Sequence, residues 1–515
     1  MNDPKSPETT STSYDQQVAG WAKVQTVLDG TDAMRAAGQK YLPMHAKEAQ
    51  KLYDERLSRC TLLNRTRMTL SSWVGRPFSK PLIFEKVPPP ITALFDDVDR
   101  LGNDVQVFCR NWFEDGLAKA FSHVLVEFPK LGAGQLAGGA RSLADDRVDG
   151  ARPHWIHLRP EQVFFADSAV EGGVERLKEV RIREEVYGRD GFAETCQPQI
   201  RRLLVDSAGI VQVEIYRLAD PKHQDKRVWV LFESYPIDIP QIPLVTFYAD
   251  RTGFMCGTSP IKDLVDLNIA HWQSTSEQRA ILTVTRFPIL VASGMGSADK
   301  ELVVGPNLMI RLTDPKARVA YVEHSGNSID AGRQDLEDLD AEMSSYGAEF
   351  LQRRPNPTAT GRLLDSAEAT SPLQDVAIRF GHAVNQALEM TALWMKLGTG
   401  GVAKVHTQFG GAGSDPAQLQ ALKDARQMKD ISREAYLAEL ARRGVLGEDF
   451  DAEADALLLE DESLRMDPAP LEAFDDPKQA EPGEGGDDEV VDPKKRKAAK
   501  KKVAPKKAAD DEEED

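Results

Sequence analysis

Cysteine is scarce in this chain: four residues, Cys60, Cys109, Cys196 and Cys256, lie far apart and form no Cys-x-x-Cys ligand pair. A reduced, cytoplasmic setting is therefore expected. Long apolar runs are also missing. None approaches the roughly 20 residues needed to span a bilayer, so no membrane partner is expected. The first residues, MNDPKSPETTSTSYDQQ, are polar and rich in Ser, Thr and Pro. They resemble neither a signal peptide nor an anchor, and a flexible N-terminus over residues 1–35 is the expectation. Net positive charge is absent as well: 64 Lys and Arg stand against 82 Asp and Glu, a formal charge of −18. That balance excludes a protein that wraps nucleic acid over its whole surface, and any DNA contact must be local.

Catalytic signatures are missing too. There is no G-x-x-x-x-G-K-[ST] loop, and the glycines of Gly132 to Gly139 lack the lysine and the strand–helix context of one. No H-E-x-x-H or G-x-S-x-G occurs. His154 and His157 in HWIHL sit three apart, which in a strand puts them on opposite faces, so a structural role is favoured over a metal pair. Asp96, Asp97 and Asp99 read as an exposed helix surface. No catalytic residue, cofactor or metal is expected.

What remains is a large chain with 41% hydrophobic and 28% charged residues, enough for two or more domains with a substantial core. The stretch YDERLSRCTLLNRTRMTLSSWVG reads as one long helix ended by Gly75 and Pro77, with Tyr53, Leu57, Cys60, Asn64 and Met68 on a packed stripe. Its arginines, Arg56, Arg59, Arg65 and Arg67, are expected to point at acids. PLIFEKV reads as a short strand, ITALFDDVDRLGNDVQVFCRNWFEDGLAKAFS as one or two helices, and HVLVEF as a half-buried strand. After an exposed glycine-rich loop, Lys130 to Arg152, come strand-like segments. Among them the pair split by Asp206-Ser-Ala-Gly209 predicts a hairpin.

From Ser259 the character changes. SPIKDLVDLNIAHWQSTSEQRAILTVTR carries Ile261, Leu264, Val265, Ile269 and Trp272 on one face, which predicts a long helix to Arg286. A β-rich insert follows over 287–325. A second helix then steps Leu336, Leu339, Met343, Tyr346, Phe350 at three and four residues, and its other face holds Asp335, Glu337, Asp338, Asp340, Glu342 and Glu349. PNPTATGR, Pro355 to Arg362, predicts a loop. A third helix is expected from Pro372 to Leu397, with Leu373, Val376, Phe380, Val384, Leu388, Thr391 and Met395 on one stripe. A short strand and two helices complete the ordered part; Asp415-Pro416 opens the first and Ser432 caps the second.

From Pro470 the composition is low-complexity: an acidic stretch, then KKRKAAKKKVAPKK, then DDEEED, which predicts disorder. Nine Lys or Arg lie between Lys494 and Lys507. Lys494, Lys495, Arg496, Lys497, Lys500, Lys501 and Lys502 are candidate phosphate contacts; a solubilising or targeting tail is the equal alternative. Arg353, Arg354 and Arg362, flanking a Thr-rich loop, either touch phosphates or cap a helix end.

Several stretches, in this order, resemble one group of tailed-bacteriophage portal proteins first catalogued as a domain of unknown function: YDERLSRCTLLNRT, WVGRPFSKP, IPLVTFYADRTGFMCGTSPIKDLVDLNIAHWQSTSEQRAIL, PNPTATGRLLDSAEATSPL and SREAYLAELARRGVL. The resemblance covers about residues 40 to 460. It implies an α+β portal fold: a wing over 36–258, stem helices over 259–286 and 326–354 and a clip over 287–325. A tunnel loop would span 355–371, a wing helix and strand 372–414, a crown 415–469 and a charged tail 470–515. It further implies a homo-oligomeric ring, usually of twelve subunits, through which double-stranded DNA passes. The expected partners are the terminase large subunit, the major capsid and scaffold proteins, and a head-completion or adaptor protein. On this mapping Arg353, Arg354, Thr358, Thr360 and Arg362 face DNA from the tunnel loop, and Asp335, Asp338 and Glu342 line the channel. The alternatives are a nucleic-acid-processing enzyme, such as a nuclease or terminase component, and a DNA-binding scaffold acting through the lysine tail.

Overall fold

The computed structural model describes residues 6–129, 151–219, 228–286, 289–293, 316, 318–322, 327–348, 359–407, 416–442, 445–446, 450 and 454–459. It falls into two units, residues 1–411 and 412–515. Helices and antiparallel sheets are mixed along the chain, an α+β fold.

The chain is ordered well before residue 35. Helix α1 (Thr12–Asp29) starts where the Ser11 hydroxyl accepts from Tyr14 N at 3.3 Å and buries Tyr14, Trp21, Val24 and Val27. Trp21 Nε1 donates to Lys119 O at 3.0 Å. The expected flexible N-terminus is thereby corrected: its Ser residues cap, and its two aromatics bury enough area to hold the segment. Helix α2 (Thr31–Ala37) follows.

The stretch expected to be one helix is two, α3 (Gln50–Arg59) and α4 (Arg65–Gly75). Cys60 is extended, and its carbonyl accepts from Arg35 Nε and Nη2 at 3.2 and 2.9 Å. Asn64 is no mid-helix residue but the cap of α4, its Oδ1 accepting from Arg67 N at 2.9 Å. A buried carbonyl partner and a good capping residue outweigh the helix periodicity here. With the register reset, Met68 is exposed.

Strand β1 (Ile83–Glu85), α5 (Pro89–Thr92) and α6 (Val105–Lys119) come next. Between α5 and α6, Asp96 and Asp97 lie on a short 3-10 turn with Asp96 exposed, and Asp97 and Asp99 organise the loop that follows. Asp97 accepts from Gly102 N, and Asp99 from Leu101 N and Asn103 Nδ2. Strand β2 (Phe121–Glu127) is buried on both faces from Phe121 to Val126, not half-buried, because Val124 and Val126 pack into one core and Leu125 into another with Leu158 and Leu244. Its neighbour β3 (His154–Leu158) leads into a five-stranded meander: β4 (Val163–Glu171), β5 (Val174–Asp190), β6 (Ala193–Val205), β7 (Val211–Leu218) and β8 (Trp229–Ile237). The β6–β7 turn falls at Asp206 to Gly209 as expected. Asp206 Oδ1 accepts from Ala208 N and Ile210 N, and Gly209 takes φ +80°.

Strand β9 (Leu244–Tyr248) returns to the free side of β2, and β10 (Arg251–Gly253) pairs with β11 (Cys256–Gly257). Then come α7 (Lys262–Thr285), the paired β12 (Ile289–Ser293) and β13 (Arg318–Val322), and α8 (Asn327–Ala348). Helix α9 (Ala359–Trp394) begins thirteen residues before Pro372, which lies inside it. The expected loop is corrected accordingly: residues 359–371 are helical, since beyond Pro357 the sequence runs through helix formers such as Leu363, Leu364, Ala367 and Glu368. Strand β14 (Val402–Lys404) closes the unit against β1.

The main core lies where α6, α9, β2 and β9 meet. Trp112, Phe113, Phe247 and Phe380 pack with centroids 5.0 to 6.4 Å apart. Only glycine fits at 116, because a Cβ there would stand 2.4 Å from the Phe247 ring. Within the second unit, α10 (Pro416–Gln427) and α11 (Arg433–Arg442) are joined by a short turn. Ser432 caps α11 as expected, accepting from Ala435 N at 3.0 Å.

Candidate functional site

Helix α7 buries Leu264, Val265 and Trp272, with Ile261 just ahead of it, and also Asn268, His271, Thr275, Ser276 and Gln278. A helix that hides polar groups on several sides must supply each with a partner. Asn268 Oδ1 accepts from Thr66 N and Oγ1 at 3.1 and 3.0 Å, while its Nδ2 donates to Leu63 O at 2.8 Å. One side chain thus closes the start of α4. On the α3 side, Arg56 Nη1 donates to Ser276 Oγ at 3.2 Å and Arg279 Nη1 to Arg59 O at 2.8 Å.

A third side belongs to α8. Gln278 Nε2 donates to Ile329 O at 2.9 Å, Ser274 Oγ donates to Asp335 Oδ2, and Tyr346 OH reaches Pro260 O at 2.9 Å. Rising positions on α8 meet falling positions before and along α7, so the two helices run antiparallel. They bracket the β12–β13 pair, which joins their adjoining ends.

Of the α8 acids, Asp335, Asp338 and Glu342 are exposed. Their spacing of three and four residues puts them on one stripe. Asp340 departs from the expected acidic face. Arg65 Nε and Nη2 hold its two carboxylate oxygens at 2.7 and 2.8 Å, and these hydrogen bonds lower its pKa. The buried face carries Leu336 and Leu339, partly covered, and Met343, fully buried.

The α3–α4 arginines divide. Arg56 meets Glu48 and Arg59 meets Glu55, as expected of arginines facing acids. Arg67 departs: Nε donates to the Leu28 carbonyl at 2.9 Å, and Nη2 donates to the same oxygen.

Other sequence candidates come apart. Thr360 and Arg362 lie on the first turns of α9; Arg353, Arg354, Thr358, Gly132 to Gly139 and the Lys494 to Lys502 cluster lie outside the described residues. His157 Nε2 stands 3.4 Å from Asp115 Oδ2, and burial lowers its pKa. Among the described residues no His, Cys, Asp and Glu group has the arrangement of a metal site. A cleft of about 220 Å³ between Trp73, Leu117, Pro260, Tyr346, Pro372, Leu373 and Val376 is lined mainly by apolar surface.

A family model described as "Domain of unknown function (DUF4055)" matches residues 260–395, the span of α7, β12, β13, α8 and α9. No curated protein matches the chain. Among solved structures, the chain is similar to "Neck of native GTA particle computed with C12 symmetry" at 12% identity and TM-score 0.36, covering 76% of this chain and 89% of that chain. It is also similar to "Neck of empty GTA particle computed with C6 symmetry" at 11% and 0.38, with the same coverage. A third is "Virion of native gene transfer agent (GTA) particle", at 14% and 0.36, again covering 76% and 89%. Likenesses this distant carry no argument about function.

Sequence reasoning missed the polar contacts that fasten α7 and α8 to α3 and α4. The signal was present in Asn268, Thr275, Ser276 and Gln278, polar residues interleaved with an apolar stripe. Their partners lie up to 220 positions away, which periodicity does not reveal.

Proposed function

We propose that this chain is the subunit of a portal ring at one capsid vertex. It would be the conduit for packaging and ejecting double-stranded DNA and the docking site for terminase and head-completion or tail proteins. The observation that carries the reading is the antiparallel α7–α8 pair bracketing a small β insert, with an exposed acid stripe on α8. It adds to the ordered stretches that resemble portal proteins. On this reading α7 and α8 are the stem helices, the β12–β13 region is the clip, α10 and α11 belong to the crown, and the chain has no catalytic role. Twelve copies are the expected number, assembled with capsid and scaffold proteins.

The chemistry suits a surface on which DNA slides. Asp335, Asp338 and Glu342, repeated around a ring, repel phosphates, so the polymer meets no deep binding minimum along the channel. Within each subunit the stem is fastened from outside by Arg65, Arg56 and Asn268. On its exposed face Asp338 accepts from Gln334 within α8, whereas Asp335 accepts from Ser274 on α7 and so belongs to the α7–α8 seam as well as to the acid stripe. Reversing the charge at Asp335, Asp338 and Glu342 to Lys tests the reading. Rings that assemble but package more slowly are expected; unimpaired packaging would overturn a sliding role.

A further inference from the structure

The apolar stripe of α8 runs into an open cleft. Leu336, Leu339, Met343 and Tyr346 step along one face of the helix, with Met343 fully buried. At the far end of the stripe Tyr346 lines the cleft of about 220 Å³. Trp73, Leu117 and Leu373 are buried and form its floor, while Pro260, Tyr346, Pro372 and Val376 retain exposure and form its rim. Among the described residues no charged side chain lines it. A phenyl ring fits such a space, since an apolar cavity of roughly 150 Å³ stays dry and accepts benzene.

The chain itself carries a ring close by. Helix α8 ends at Ala348, two residues past Tyr346, and α9 begins at Ala359. Residues 349–358, EFLQRRPNPT, lie outside the described residues, and their large apolar side chains are Phe350 and Leu351. Phe350 is the next step of the stripe, four positions after Tyr346. A continued helix carries it about 6 Å beyond Tyr346, and an extended chain carries it no more than about 7 Å from Ala348. The segment has slack on its other side. Ala359 lies thirteen residues ahead of Pro372, about 20 Å along α9, whereas the chain from Ala348 to Ala359 can span up to about 36 Å.

We infer that Phe350 seats in this cleft of its own chain and pins the end of α8 against α4 and α9. The tether selects the occupant: a ring held within about 7 Å of the cleft's neighbour Ala348 outcompetes the same ring from a second copy. The contact lies within one chain and does not rest on the ring reading. Its consequence there is positional. Arg353 and Arg354 follow Phe350 by three and four residues, so the anchor fixes where these candidate DNA-facing arginines leave α8.

The test uses the full-length chain with its two less buried cysteines replaced, Cys196→Ser and Cys256→Ser. In that background Phe350→Cys with Val376→Cys, oxidised by copper phenanthroline, is expected to form an intramolecular disulfide at least about tenfold faster than Leu351→Cys with Val376→Cys, because the neighbouring position is turned away and disulfide geometry is specific. A second measurement needs no engineered thiol. Phe350→Ala vacates the cleft, so benzene is expected to raise the thermal midpoint of that variant and not that of the unmodified chain. Cross-linking from position 350 no faster than from 351, links found only between copies, or a benzene shift as large in the unmodified chain overturns the inference.

Discussion

Arg65 on α4 grips Asp340 on α8 through two hydrogen bonds, Nε to Oδ1 at 2.7 Å and Nη2 to Oδ2 at 2.8 Å. The pair joins elements 275 positions apart and draws one acid of α8 away from the exposed stripe. With side chains 28% and 35% exposed, solvent screens the attraction, and a double-mutant cycle on Arg65→Met and Asp340→Asn should give a coupling of about 1 kcal/mol. Arg65 lowers the Asp340 pKa. The coupling is then fully present above the unfolded carboxylate pKa and disappears as pH falls through the lower folded value. A coupling that is the same at pH 3 and pH 7 would contradict this.

Arg56 and Glu48 form the more deeply buried pair, with side chains 6% and 9% exposed. The Arg56 hydrogen bonds hold the Glu48 pKa down to about 2. Arg56→Met leaves that carboxylate without its cation, and urea denaturation should register a loss of about 3 kcal/mol at neutral pH. Arg56→Lys is not expected to restore it, because an ammonium cannot make the fork.

Histidines whose pKa burial lowers set acid sensitivity, His123 and His154 most strongly. Burial lowers the His123 pKa to about 3 and the His154 pKa to about 4. The unfolded chain takes up these protons first, near pH 6.5, so stability is intact above that pH. It falls on acidification towards the folded values, by up to about 1.4 kcal/mol per pH unit for each histidine. Urea midpoints measured from pH 7.5 to 5 should fall, and His123→Gln should flatten the slope.

Gly332 sets the closeness of α8 to α7. A Cβ there would meet Gln278 Oε1 at 2.2 Å and Cδ at 3.1 Å. Gly332→Ala therefore displaces Gln278 from Ile329 O and costs about 1 to 2 kcal/mol despite the better helix propensity of alanine. Gln278→Ala in the same chain removes the clash, and the thermal midpoint of the pair should exceed that of Gly332→Ala alone.

Much of this architecture is legible in sequence where period and burial coincide. The α9 stripe of Leu373, Phe380, Val384 and Leu388 is buried as its spacing requires, and Asp206 to Gly209 is a turn because its residues suit no other conformation. Errors arose where a distant group outweighed a local preference. Arg35 ends α3 at Cys60, and Trp21 anchors an N-terminus that its composition marks as loose; the start of α9 differs for a local reason, the helix formers ahead of Pro372. The acid stripe was readable as a stripe, but nothing in α8 distinguishes Asp340, taken by Arg65, from Asp338, exposed and met by Gln334 of its own helix. That distinction exists only once α4 is in place.

The central claim is a ring with a hole for DNA. Electron microscopy of the purified full-length chain, over a range of concentrations and with capsid and scaffold proteins added, tests it most directly. Rings with an axial opening wide enough for duplex DNA are the expected result. Particles without a central hole under every condition, from a chain that cleaves DNA when a divalent metal is added, would contradict it.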